Sequence, residues 1–221
     1  TCALPISTII PPLLNCEDNQ LSFLEHFPWC KEAVDKYATI DVAFSAVLGS
    51  TAQIREIPQM AELGITSYKF YMAYTQDEAS VFGISAMDDG QVLEGLRVIK
   101  EVGYPAMMMV HAENHDIIAW LSERLVQAGR KQPSSHAIAH HPIAEREATH
   151  RVIALAELLD VPVLFVHVSA KEAIDQIRDA QARGLKIYGE TCPQYLVLTE
   201  RALEGLNMEG AKYVCSPPPR D

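Results

Sequence analysis

The sequence predicts a parallel α/β architecture, either an open doubly wound sheet or part of a (β/α)8 barrel. Three observations lead there. Six short β-rich runs alternate with longer stretches of 3.6-residue periodicity. Several runs are almost continuously apolar, such as Ala-Met-Met-Met-Val and Val-Leu-Phe-Val, as expected of strands covered on both faces. Gly64, Gly103-Tyr-Pro105, Val161-Pro162 and Gly184 punctuate the joins where a helical pattern stops and a strand begins.

In chain order, the expected strands are residues 7–10, 41–48, 66–72, 106–111, 162–167 and 185–190. The expected helices are 20–37, 51–63, 87–102, 114–128, 144–159 and 170–183. The longest expected loops, 75–86 and 130–141, are long enough to carry function. Periodicity does not choose between the open sheet and the barrel.

Composition narrows the function classes. The chain has 221 residues, 48% of them hydrophobic, with a mean hydropathy of +0.02, which is ordinary for a globular protein. Eighteen basic against 29 acidic residues give a net charge of −11, a poor match to a phosphate backbone or an anionic membrane. No run approaches 18 apolar residues, and no charged segment followed by an apolar stretch opens the chain. Cys2, Cys16, Cys30, Cys192 and Cys215 form no Cys-x-x-Cys pair and read as buried or free thiols of a reducing compartment, so a cytoplasmic location is expected.

In parallel α/β folds ligands gather at the C-terminal ends of strands. There stand Lys69 in Thr66-Ser-Tyr-Lys-Phe-Tyr-Met, His111 in Met-Val-His-Ala-Glu-Asn, His167 in Phe-Val-His-Val-Ser and Glu190 in Gly-Glu-Thr-Cys-Pro. A lone strand-end histidine is usually a hydrogen-bonded structural residue, and a strand lysine usually snorkels to solvent. A lysine and two histidines at equivalent positions on three successive strands point instead to a metal site, for which neutral imidazole is a common ligand. His136, His140 and His141 read as members of a solvated loop. Signals for zincins, α/β-hydrolases, P-loop enzymes and dinucleotide-binding folds are absent from the sequence.

Taken together, Gly64-Ile-Thr-Ser-Tyr-Lys69-Phe-Tyr-Met-Ala-Tyr74, Val110-His111-Ala-Glu-Asn114, Val166-His167-Val-Ser169, Gly189-Glu-Thr-Cys-Pro-Gln-Tyr-Leu196 and Lys212-Tyr-Val-Cys-Ser216-Pro-Pro-Pro-Arg220 resemble the dihydropyrimidinase/hydantoinase family of cyclic amidohydrolases. The resemblance implies a (β/α)8 barrel of the metal-dependent amidohydrolase type, with two divalent metal ions, usually zinc. It implies ring opening of a dihydropyrimidine or hydantoin by a metal-bridging hydroxide. Lys69 matches the lysine that CO2 converts to a carbamate bridging the two metals. A desolvated lysine has a lowered pKa, and its neutral amine can attack CO2. His111 and His167 match ligands of the second metal, and Tyr74 matches the tyrosine that donates to the developing oxyanion. Ser216 matches the serine whose backbone contacts the ring amide. Glu190 and Cys-Pro-Gln-Tyr read as structural. The family also implies a homotetramer acting on a small cyclic amide, with neither nucleic acid nor membrane as partner.

Departures from the family pattern set further expectations. The H-x-H pair of the family's first strand and the Asp of its last strand are not in this sequence, so a partial barrel is expected with its first and last strands missing. Such an arc would be inactive alone. His141-Pro142 stands where relatives more often have Arg-Pro. Residues 1–6, Thr-Cys-Ala-Leu-Pro-Ile, read as the translation of a sequencing-library adapter, so a non-native leader is expected there and a partial amidohydrolase barrel over 7–221. Gln194 and Ser216 favour the hydantoinase branch over allantoinase or dihydroorotase, which tend to have His and Asn there. A non-catalytic dihydropyrimidinase-related scaffold is the other reading, disfavoured by the retention of Lys69, His111 and His167.

Overall fold

The computed structural model describes residues 22–73 and 86–221, with the backbone of 8–9 and 12–13. It falls into two compact units, Thr1–Met109 and Val110–Asp221. Every described strand pairing is parallel.

In the first unit, β1 (Thr8–Ile9) pairs with β3 (Asp41–Val42), and β2 (Pro12–Leu13) with β4 (Ser45–Val47). β4 pairs in turn with β5 (Ser67–Tyr71), Val47 lying opposite Lys69. The run expected as one strand over 41–48 is thus two short strands, because its halves serve different partners. β2 was not expected, since two residues carry no readable alternation.

Helix α1 (Phe23–Tyr37) starts at Ser22, whose hydroxyl accepts from the Glu25 N–H at 3.3 Å. The Glu56 carboxylate accepts from the Phe23 N–H at 2.8 Å, which satisfies another orphan donor of that first turn. The helix expected over 51–63 is interrupted, giving α2 (Thr51–Arg55) and α3 (Ile57–Glu62). Pro58 explains the break: it lacks the N–H that a continuous helix would bond to Ile54. Helix α4 (Asp89–Val102) opens with a full capping box between Asp88 and Gln91. Tyr68, Phe70, Ile54, Ile57, Met60, Leu96 and Met108 are all 0% exposed and form this unit's core. Gly95 lets α4 sit directly on the Phe70 ring; a Cβ there would lie 2.7 Å from Phe70 Cε1.

The boundary between the units falls within β6 (Met107–His111). In the second unit β7 (Val163–Phe165) pairs with β8 (Ile187–Gly189), Leu164 opposite Tyr188. The Val166 N–H donates to Val110 O at 3.2 Å. The helices are α5 (His115–Gln127), α6 (Ser134–Ala139), α7 (Pro142–Leu159) and α8 (Lys171–Ala182), followed by three 3-10 turns between Pro193 and Tyr213. Pro142 suits the first turn of α7, where its missing N–H is not needed. Small residues line the inner faces of α7 and α8: Ala144, Ala148, Ala156, Ala173 and Ala180 are all buried. The stretch expected as a loop over 130–141 contains α6, too short for periodicity to announce.

Among the described residues, no helix is long and apolar enough to cross a membrane. Cys30, Cys192 and Cys215 are free thiols of intermediate burial, while Cys2 and Cys16 lie outside the described residues.

Candidate metal and substrate site

Lys69 sits in the middle of β5 and is 5% exposed, between the fully buried Tyr68 and Phe70. Its Nζ lies 4.8 Å from the centroid of the Tyr71 ring. A lysine held this way does not snorkel to solvent. Lys69 belongs to the first unit. Tyr74 lies outside the described residues.

The second unit brings together the two candidate histidines. His111, 1% exposed, ends β6. β7 stops at Phe165, two residues before His167, which takes a left-handed backbone with φ of 44°. His111 Nδ1 and His167 Nε2 face each other at 3.2 Å, with the ring planes at 68°. Two imidazole nitrogens bound to one tetrahedral zinc at about 2.05 Å would stand about 3.3 Å apart. The pair therefore fits a shared divalent cation in both donor type and spacing. Among the described residues, no set of three or more His, Cys, Asp or Glu could hold a metal ion, so these two are donors toward a site rather than a finished cage.

Behind the pair is a residue that the strand-end reading passed over. Glu113 is 0% exposed and splits its carboxylate between two rings: Oε2 lies 2.9 Å from His111 Nε2, and Oε1 lies 2.9 Å from His140 Nδ1. Burial opposes the charge, but the bonds to His111 and His140 outweigh it and hold the carboxyl well below the usual carboxylate range. The available signal was the His111-Ala-Glu113 spacing, which places Glu113 two residues past a strand-end histidine.

The solvated-loop reading of the 136–141 histidines is corrected here. His140 is 7% exposed, and its ring packs on that of His136 with centroids 4.1 Å apart; only His141 is exposed. The formation of α6 turns His136 and His140 inward, one helical turn apart. Burial first, then the neighbouring His140, lower the His136 pKa to about 4, against the pull of the Cys215 carbonyl, so the ring is neutral near pH 7. His136 Nε2 lies 2.9 Å from the Cys215 carbonyl oxygen and 3.2 Å from Ser216 Oγ. This contact places Ser216.

Two further groups hold the same stretch. The Tyr195 hydroxyl donates to Pro217 O at 2.6 Å, and the Ser169 hydroxyl donates to Pro218 O at 2.6 Å. Glu145, on α7, accepts from the Ser169 and Ala170 N–H groups at 2.8 and 3.0 Å and lies 3.9 Å from Arg220 Nη2. These bonds cap α8 from a distance, since Ala170 offers no side-chain cap. Burial raises the Glu145 pKa to about 7, assisted by the Glu113 charge and opposed by the two amides and Arg220.

The fold is that of part of a metal-dependent amidohydrolase barrel. No family model matches the chain. The chain is 41% identical to the D-hydantoinase of Geobacillus stearothermophilus over 196 residues, which cover 87% of this chain and 40% of that protein. It superposes on the crystal structure of dihydropyrimidinase from Brevibacillus agri with a TM-score of 0.87 at 36% identity, covering 97% of this chain and 45% of that one. Dihydroorotase from Campylobacter jejuni, at 12% identity and a TM-score of 0.64, shares the fold alone. The chain belongs to the dihydropyrimidinase/hydantoinase family and spans less than half the length of these relatives.

Proposed function

We propose that the whole protein hydrolyses the ring amide of a hydantoin or a dihydropyrimidine. The observation that carries this reading is the pair of the buried His111 and the half-buried His167, whose facing nitrogens have the spacing of two donors on one cation. Divalent metal ions, zinc by the donor set, would be held by His111, His167 and Lys69. Bound there, they would supply a hydroxide nucleophile at neutral pH and polarise the scissile carbonyl.

Lys69 enters as a carbamate: its neutral amine forms a bond to the carbon of CO2 and one proton leaves the nitrogen. Tyr74 would donate a hydrogen bond to the oxyanion as the carbonyl becomes tetrahedral. The backbone at Ser216 would orient the ring amide, with His136 fixing that segment.

The test is ring opening of dihydrouracil and hydantoin by the metal-loaded whole protein. Lys69→Ala is expected to lower kcat/KM by about 10³-fold or more and to lose metal, with partial rescue by short carboxylic acids. A folded, metal-loaded protein that opens neither ring would overturn the proposal.

A further inference from the structure

Glu113 is the only described side chain that touches both the His111 ring and the His140 ring through separate oxygens. From His140 the contacts continue to His136, whose ring packs against it at a 34° tilt, and from His136 to Cys215 O and Ser216 Oγ. One buried carboxylate thus stands between the histidine pair and the stretch that carries Ser216. We propose that Glu113 is a positioning residue with two duties, fixing the tautomer and aim of His111 on one side and the ring of His140 on the other. The metal side of this inference rests on the function proposed above; the tautomer side does not.

The argument is one of donors and acceptors. A carboxylate only accepts, so a ring nitrogen at 2.9 Å from each of its oxygens must carry the proton. His111 is therefore protonated on Nε2 and turns the lone pair of Nδ1 toward His167, the arrangement in which an outer carboxylate also raises the basicity of a metal-facing imidazole. His140 carries its proton on Nδ1, toward Glu113 Oε1. An amide at position 113 would break this symmetry, because it offers one acceptor and one donor. It can serve one ring as Glu113 does, and it forces the other to change tautomer or let go.

Nitrogen-15 NMR of the histidine rings in the 221-residue chain reads this directly. The unsubstituted chain is expected to show the proton on Nε2 of His111 and on Nδ1 of His140. Glu113→Gln is expected to lose one of these two assignments and to weaken binding of Zn2+ alone, followed at the His111 and His167 signals, by about 10- to 100-fold. Finding His140 Nδ1 without a proton in the unsubstituted chain would overturn the proposal, and that readout needs no variant to fold. So would a folded Glu113→Gln chain with both tautomers and its zinc affinity unchanged. If Zn2+ shifts neither histidine in the unsubstituted chain while the tautomers are as stated, the metal reading fails and the positioning role of Glu113 stands.

Discussion

Glu145, buried, and His136, half-buried, are titratable groups whose pKa values move in opposite senses, and the difference has a sign that can be measured. Glu145 is raised to about 7, so the folded state binds a proton that the unfolded chain releases near 4.5. Its contribution is most favourable below about 4.5 and is lost as pH rises to about 7, a change on the order of 3 kcal/mol. His136 is lowered to about 4, so it contributes stability that is present above the ordinary histidine value of 6.5 and lost as pH falls toward 4. Between about 4.5 and 6.5 the two oppose each other, and the unsubstituted chain shows a muted profile. Denaturation followed from pH 4 to 8 separates them. Glu145→Gln is expected to remove the component that falls with rising pH, and His136→Gln the component that rises. A Glu145→Gln profile parallel to that of the unsubstituted chain would remove Glu145 from the account.

At the scale of elements, the closest approach in the first unit is α4 on β5. Gly95→Ala adds helix propensity of about 1 kcal/mol but places a methyl group against Phe70 and 3.1 Å from Met108 Cε. Overpacking costs about 1–3 kcal/mol, so a net loss of stability is expected in urea unfolding. A gain would show that the α4–β5 contact yields. Elements of this kind were largely legible beforehand, because a buried parallel strand shows as a short apolar run and an amphipathic helix writes its period into ten or more residues. α4 and α5 fall within two residues of expectation at each end. What was not legible was short or non-local. α6 has six residues and no room for a period, so His136 and His140 read as solvated. His111 and His167 stand out as strand-end residues, whereas Glu113 gains its role from a ring 27 positions away. Glu145 and Arg220, 75 residues apart by number, meet only in the folded chain.

Over the whole chain, the surface between Tyr188 and Val214 is unusually apolar. Leu196, Val197 and Leu206 are 76%, 79% and 84% exposed, while the chain carries a net charge of −11. Exposed apolar surface favours association and like charge opposes it, so salt should decide the balance. The 221-residue chain is expected to bind an apolar dye and to grow in apparent mass as salt rises from about 0.05 to 0.5 M, measured by light scattering. Combined Leu196→Glu, Val197→Glu and Leu206→Glu changes should suppress both effects; a dye-silent monomer in high salt would exclude the idea. Elsewhere the second unit is tied together more tightly. Glu145 serves the amides of Ser169 and Ala170 and faces Arg220, while Ser169 also holds Pro218. In evolutionary terms, positions 145 and 220 form one unit of inheritance: a change at either alters the partner left to the other, whereas position 169 meets Glu145 only through a backbone N–H that every residue but proline supplies.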